Sequence, residues 1–372
     1  MKRRVAVQTA PKKLEIVEEE LPRLGPDDVL VHNVAIGLCH SDIPQYLGQS
    51  SMNGVDRFGR RFMNSPLKYP MYIGHEPVGI VEEVGTNIKN LKPGDYVGGS
   101  MGGFADYTIT EERRCIPIPK TVEKMGPLKY CLPEPLTCIT NIIQASNPQF
   151  GDYVAVIGCG MMGVLTIAGI RGCGAAEIIA IDMSEDRLEL AKKYGATKCI
   201  LATGDVDAEV YHLTRGHGCD VVIEITGSLK GLKTASQIVR YSEMFSYEGR
   251  GKIAIPSLYG MPETWDPETG YNLMYRSPII HVTHPWYAMD YRACGITGVE
   301  AYCKGILPMN ELITHEWKLE DIQAGFDMMA SRDLRFHGVP RRRNWRCRRS
   351  LRCRANQSGL SWRQPLRRRV PE

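Results

Sequence analysis

Three side chains of different chemistry stand out along the chain. They are Cys39 in Gly37-Leu38-Cys39-His40-Ser41-Asp42, His75 in Gly74-His75-Glu76, and Glu134 in Cys131-Leu132-Pro133-Glu134-Pro135-Leu136. A thiolate, an imidazole and a carboxylate form a mixed sulfur, nitrogen and oxygen donor set of the kind that suits Zn²⁺. Three protein ligands would leave a fourth position open for substrate, as a catalytic zinc requires. Each residue also has a plainer reading. Cys39 could be a small buried hydrophobe, His75 a hydrogen-bonded loop histidine, and Glu134 a carboxylate at a helix start after Pro133. Residue type alone leaves both readings open.

A second constellation is Gly158-Cys159-Gly160-Met161-Met162-Gly163, the spacing G-x-G-x-x-G. Gly158 would permit a tight turn, Gly160 would let backbone approach a pyrophosphate, and Gly163 would let a helix pack close on a strand. The helix N-terminus would offer free N–H groups and a positive dipole end to the phosphates. Asp182 stands 19 residues past Gly163. A carboxylate there can accept both ribose hydroxyls and would repel a 2′-phosphate. Tyr153 to Ile170 is also 18 residues without a charge, long enough to raise the question of a membrane span. Its glycines, and Asp152 and Arg171 at its borders, fit a buried strand, turn and helix better.

These groups need elements to position them. Val154 to Ile157 reads as a buried parallel strand, and Ile178 to Ile181 as a second ending on Asp182. A helix over 184–194 begins at Ser184 with Glu185 in its first turn, a favourable start. Strands near 198–201, 220–225, 252–256 and 279–283 alternate with helical stretches, the doubly wound pattern of a dinucleotide domain. The residues before Asn147-Pro148, the expected domain boundary, read differently. Residues 5–36 are strands broken by Pro11, Pro22, Gly25 and Pro26, with Val29 to Ile36 half-buried by its alternation. Pro77 to Val84, the turn at Gly85-Thr86-Asn87, and Leu91 to Val97 continue a pattern suited to a small β-barrel. Residues 134–146 read as helical. Past about 285, a helix is expected near 293–303 and an amphipathic one at 319–330. A basic segment with Arg57, Arg60, Arg61 and Lys68 could border an anionic substrate, although a solvated loop is the simpler reading.

The 372 residues suffice for two domains with sizeable cores, and 43% hydrophobic with 24% charged content describes an ordinary globular chain. The first residues, Met1 to Val5, do not open an apolar run of the secretory type. Twelve cysteines without a C-x-x-C pair favour a reducing, cytoplasmic setting. The net charge of +4 conceals an asymmetry, because residues 341–372 hold twelve of the 46 basic residues and one of the 42 acidic ones. The remainder is mildly acidic. That Arg-rich tail, with Trp345, Cys347, Cys353 and Trp362 interspersed, reads as an out-of-frame extension, a disordered tail or a phosphate-gripping arm. No fold supports the arm, so nucleic acid is not an expected partner.

Taken together, the sequence resembles the medium-chain, zinc-dependent alcohol dehydrogenase family, in the manner of its polyol, sugar and threonine dehydrogenase branches. The motifs that carry this are GLCHSD at 37–42, GHEPVGIVEEVG at 74–85, LKPGDYV at 91–97, GGFADY at 102–107, EPL at 134–136 and GCGMMG at 158–163. They run in family order and cover roughly residues 1–335. The resemblance implies an α/β protein with a GroES-like β-barrel catalytic domain at 1–147 and 286–335. A Rossmann doubly wound parallel-sheet domain at 148–285 would interrupt it, and 336–372 would form the tail. It implies that Cys39, His75 and Glu134 hold a catalytic zinc, with Glu76 a nearby carboxylate that can reach the metal. Asp42 would bond the outer nitrogen of His75 and fix its tautomer. Ser41 would take the proton of the bound alcohol, and His40 would lie near the pyrophosphate or extend the relay. Thr137 and Cys138 would border the nicotinamide.

The implied reaction moves a hydride between a primary or secondary alcohol, such as a polyol or sugar, and NAD. Asp182 favours NAD over NADP, since no Arg follows it directly. A homodimer or homotetramer and a small-molecule substrate are expected, with no membrane partner. Many members carry a second, structural zinc on four cysteines after the LKPGD-like turn. Here Val97 to Phe104 is short and has no cysteine, so none is expected. The span from Cys39 to His75 is longer than usual, and the final apolar barrel strand has no counterpart after Asp333. The competing readings are a zinc-free enoyl or quinone reductase of this fold, and a non-catalytic nucleotide- or RNA-binding protein. The intact CHSD and GHE motifs argue against both.

Overall fold

A computed structural model describes residues 1–49, 67–241, 251–257, 259, 263–284, 288 and 290–331. Arg57, Arg60, Arg61 and the whole Arg-rich tail lie outside the described residues. The described residues belong to one compact unit.

The first half is antiparallel. Strands β1 (Lys2–Ala10) and β2 (Lys13–Glu20) form a hairpin whose turn places Lys12 at φ 57°. Strand β3 (Asp28–Gly37) leads into a 3₁₀ turn, His40–Asp42, and the short helix α1 (Ile43–Tyr46). Then follow β4 (Met71–Tyr72), β5 (Glu76–Val84), β6 (Tyr96–Gly98), β7 (Tyr107–Glu111) and β8 (Ile116–Ile118). They make two sheets, ordered β2-β1-β4 and β7-β3-β5-β6-β8. The site depends on one register. Gly37, the last residue of β3, stands opposite Glu76, the first of β5. That pairing brings Cys39, two residues beyond, alongside His75, one residue before.

Helix α2 (Pro133–Ser146) opens with Pro at its first position and ends where Asn147 turns left-handed, at φ 42°. The chain then alternates: β9 (Tyr153–Ile157), α3 (Met161–Ile170), β10 (Glu177–Asp182), α4 (Glu185–Tyr194), β11 (Lys198–Leu201), α5 (Val206–Leu213), β12 (Val221–Glu224), α6 (Leu229–Ile238), β13 (Lys252–Ile255), α7 (Pro267–Arg276) and β14 (Ile279–Val282). The six strands pair in parallel, in the order β11-β10-β9-β12-β13-β14. The order reverses between β9 and β12, and the crevice outside their carboxyl ends is where such sheets bind ligands. The apolar runs of β9 and β10 are buried on both faces, as helices on either side of the sheet require.

After β14 come α8 (Tyr291–Cys303), α9 (Met309–Leu312) and α10 (Ile322–Ala330). Helix α8 packs directly on α2 because Gly298 lets it in: a Cβ there would stand 2.5 Å from the Leu136 carbonyl oxygen. One hydrophobic core runs from Val78 and Ile116 through Leu136 and Ile139 of α2 to Val154 and Val164. The antiparallel and parallel halves are therefore fused through α2.

Three local expectations need correction. Ser184 does occupy the cap position of α4, but its side chain makes no capping bond; its own N–H is bonded to Asp182 Oδ1 instead, at 2.9 Å. The amphipathic stretch from 319 begins as a 3₁₀ turn, Leu319–Asp321, and becomes α-helical only at Ile322. The helix near 293 starts two residues earlier, where the Asp290 carboxylate accepts the Ala293 N–H at 2.8 Å.

Candidate active site

The β3–β5 register assembles the first half of the site. Ligand atoms of Cys39, His75 and Glu76 all lie within 4.8 Å of one another. Glu76 lies across Gly37, where a Cβ would stand 2.1 Å from Glu76 Oε2. Gly98 has a parallel task. A Cβ there would stand 2.6 Å from Pro133 Cδ, so its absence lets the start of α2 approach β6, the neighbour of β5. That approach delivers Glu134 beside Glu76, and both carboxyls are almost fully buried, at 5% and 4% exposure. Glu134 is thus in the pocket but outside the compact trio, in which Glu76 takes the third place. Cys138, one turn along α2, donates its thiol to Glu134 Oε1 at 3.5 Å.

The surroundings orient these groups. Asp42, buried in the 3₁₀ turn, places Oδ1 3.2 Å from His75 Nδ1. Ser41 Oγ donates to Cys39 Sγ at 3.2 Å, while His40 is exposed. Thr137 is fully buried and gives its hydroxyl to the Pro133 carbonyl at 2.7 Å, so its hydroxyl is committed within α2.

Burial, then the Glu76 charge, push the Cys39 thiol up to about 12. Burial, then Glu134, push Glu76 above the usual carboxylate range. Burial would pull His75 down, but the Asp42 carboxylate and Cys39 outweigh it and the imidazole is pushed up. A thiol and two carboxyls stripped of water in one pocket repel one another when ionised. Asp42 Oδ2 adds a buried oxygen without a hydrogen-bond partner. A divalent cation would offset this concentration of negative charge, and the sulfur, nitrogen and oxygen donors fit zinc.

Two residues that sequence reasoning missed complete the pocket wall. Ser100 donates its N–H to Tyr291 Oη at 2.9 Å, and burial together with the nearby Glu134 pushes that phenol up. Burial and the charge of His75 pull His284 down. Both come from the segment after β14. A lone aromatic at a helix start has no spacing signature by which to find it.

The glycine turn lies at the carboxyl end of β9. Gly158 sits at φ 97°, where a side chain would be strained. Around Gly160 nothing lies within 4 Å of an added Cβ, whereas at Gly163 that atom would stand 1.9 Å from the Gly158 carbonyl oxygen. Met161 and Met162 open α3, whose N-cap is Gly160, so the first N–H groups of the helix face outward from the turn. Asp182 ends β10 and is buried. Its Oδ2 accepts the Cys159 N–H at 2.7 Å and lies 3.6 Å from Arg187 Nη1. Arg187 escaped the sequence reading because it lies five residues on and returns to Asp182 only through the first turn of α4.

Comparison with known proteins agrees with this fold. The family model "Alcohol dehydrogenase GroES-like domain" matches residues 25–120, and "Zinc-binding dehydrogenase" matches 162–264. The chain is similar to L-threonine 3-dehydrogenase of Bacillus velezensis, 28% identical over 356 residues, covering 84% of this chain and 91% of the relative. It is 30% identical over 253 residues to (R,R)-butanediol dehydrogenase of Bacillus subtilis, covering 61% and 71% respectively. The crystal structure of galactitol-1-phosphate dehydrogenase from Escherichia coli superposes with a TM-score of 0.72 at 19% identity, covering 89% of this chain and 97% of that one.

Proposed function

The chain belongs to the medium-chain zinc-dependent alcohol dehydrogenase family, and on that premise we propose that it oxidises a polyol or related secondary or primary alcohol with NAD at a single zinc held by Cys39, His75 and the Glu76–Glu134 pair. The observation that carries this reading is the convergence of Cys39, His75 and Glu76 within 4.8 Å. Glu76 is the carboxyl nearest the ligand position, and Glu134, its neighbour, is placed to hold or release a proton as ligation changes. No second, structural zinc is proposed, because the chain between Val97 and Phe104 has no cysteine.

Zinc in this donor set supplies Lewis acidity that lowers the pKa of a substrate hydroxyl, and bound NAD supplies the hydride acceptor. The protein's own residues do the rest. Asp42 accepts from His75 Nδ1 and so fixes the tautomer that leaves the Nε2 lone pair free to ligate the metal. Ser41 Oγ, two residues from Cys39, takes the proton given up by the substrate hydroxyl and passes its own toward the exposed His40. Cys138 and Tyr291 wall the pocket, while Thr137 sets the α2–α8 contact behind it.

Gly158, Gly160 and Gly163, with the start of α3, cradle the pyrophosphate. Asp182, at the carboxyl end of β10, would meet the adenosine ribose. Arg187 is held in an ion pair with that carboxylate, which supports NAD as the preferred cofactor.

A homodimer or homotetramer is supported by β14, an edge strand with Ile279, Ile280 and Val282 exposed at 40%, 41% and 77%. An exposed apolar edge invites pairing with a second copy. No helix among the described residues is long and apolar enough to cross a membrane. Ten described cysteines are free thiols, which supports a reducing, cytoplasmic setting. The test of the activity is a panel of alcohols, polyols and hydroxy acids with NAD, read as absorbance of the reduced cofactor. Turnover of a vicinal diol or polyol is expected, and no turnover across the panel by zinc-loaded protein contradicts the proposal.

A further inference from the structure

One buried carboxyl plays no part in the chemistry above. Glu224 is the last residue of β12 and is 0% exposed. Its partner in the sheet is Ile157, the last residue of β9, so it lies where the strand order reverses, directly beside the glycine turn. Three donors converge on it. The Thr226 N–H reaches Oε1 at 2.8 Å, the Thr226 hydroxyl reaches the same oxygen, and Tyr259 Oη reaches Oε2 at 2.5 Å. Helix α6 presses on the carboxyl from the other side, since a Cβ at Gly231 would stand 2.4 Å from Oε1.

Thr226 in turn touches the turn itself. A Cβ on Gly158 would stand 2.9 Å from Thr226 Cγ2 and 3.3 Å from its backbone nitrogen. The Thr226 hydroxyl also accepts the Ser228 N–H at 3.1 Å, which shapes the loop leading into α6. Tyr259 belongs to the segment after β13, where Ser257 Oγ bonds the Glu224 carbonyl at 3.4 Å. One carboxyl therefore ties together the loops at the carboxyl ends of β12 and β13 and sets them against Gly158.

We propose that Glu224 is a positioning residue for the dinucleotide: through Thr226 and Tyr259 it fixes the wall of the cofactor groove that faces the glycine turn. Its isolation from water makes the arrangement stiff, because each donor loses a charged partner if it moves. The proposal rests on the reading that the glycine turn holds NAD.

The test uses the full chain, zinc-loaded, as wild type, Glu224→Gln and Tyr259→Phe. NADH dissociation constants are measured by fluorescence titration, with KM for NAD and for the alcohol, zinc content and melting temperature alongside. Glutamine has nearly the same shape but turns an NH₂ toward one of the donors. It is expected to weaken NADH binding and raise KM for NAD about tenfold, with alcohol KM at saturating NAD and zinc content held within about twofold. Tyr259→Phe is expected to shift the same two quantities about threefold. Wild-type NADH affinity in both variants, whatever their melting temperatures, overturns the proposal. If Glu224→Gln does not fold, Tyr259→Phe decides alone. A wild type that binds no NADH removes the dinucleotide reading and this proposal together, whereas normal wild-type binding with unaffected variants removes only the latter.

Discussion

Gly37 and Glu76 occupy the same space: the side chain that residue 37 lacks would stand 2.1 Å from Glu76 Oε2. The β3–β5 register places the two opposite each other, and the Glu76 carboxyl folds over the bare backbone to meet Cys39 and His75. Gly37→Ala is therefore expected to push Glu76 out of the donor group. A displacement of about 1 Å in such a group costs on the order of a hundredfold in rate. Steady-state kinetics and zinc content together read the effect; wild-type kcat with full zinc in this variant would show that Glu76 is not needed in the trio.

The proposed preference for NAD rests on Asp182. Its carboxylate accepts two backbone N–H groups and faces Arg187, and a 2′-phosphate would bring like charge against it. The wild type is expected to favour NAD over NADP by about a hundredfold in kcat/KM, and Asp182→Ala to narrow that ratio at least tenfold, as Arg187 is left without its partner. A ratio unmoved by the substitution would assign the preference elsewhere.

The legible parts of this chain are those where a local demand leaves a local mark. The glycine turn is one, because Gly158, Gly160 and Gly163 each answer a different steric requirement. Cys39 and His75 are another, since their type and motif announced them. What the sequence hid depends on three-dimensional placement. Glu76, rather than Glu134, completes the compact trio because it begins a paired strand, while Glu134 arrives on a helix beside it. Ile279 to Val282 reads like the buried strands β9 and β10, yet it is exposed at the edge of the sheet, beyond β13, where no other described strand pairs with it. Tyr291, His284 and Arg187 meet their partners only through tertiary folding.

That exposed edge has a consequence for assembly. Val282→Lys, with Ile280→Lys as a second variant, places charge on the edge strand, a standard obstacle to edge pairing. Light scattering coupled to size exclusion should find the wild type as a dimer or tetramer and the variants as smaller species with their melting temperatures lowered. A monomeric wild type would rule out this edge as a subunit contact.

Glu224 also predicts a pH dependence of stability. Burial holds its carboxyl above the ordinary value of 4.5, although Thr226 and Tyr259 oppose the shift. The folded protein thus binds this proton more tightly than the unfolded chain, so the associated stability is present below 4.5 and is lost as pH rises through the folded value. Wild-type stability relative to Glu224→Gln should accordingly fall as pH is raised from about 4.5 toward neutrality. Denaturant melts at several pH values read it, and a difference that grows over that range would reverse the sign.

The central claim is that Cys39, His75 and a buried carboxyl hold one zinc ion on which alcohol oxidation depends. The direct measurement is zinc content per chain, by elemental analysis of wild type and Cys39→Ala, paired with alcohol-dependent reduction of NAD. One zinc per wild-type chain is expected. In Cys39→Ala, loss of the metal should accompany a fall in kcat/KM of about a thousandfold or more. Full activity in a Cys39→Ala protein that carries no zinc would contradict the account.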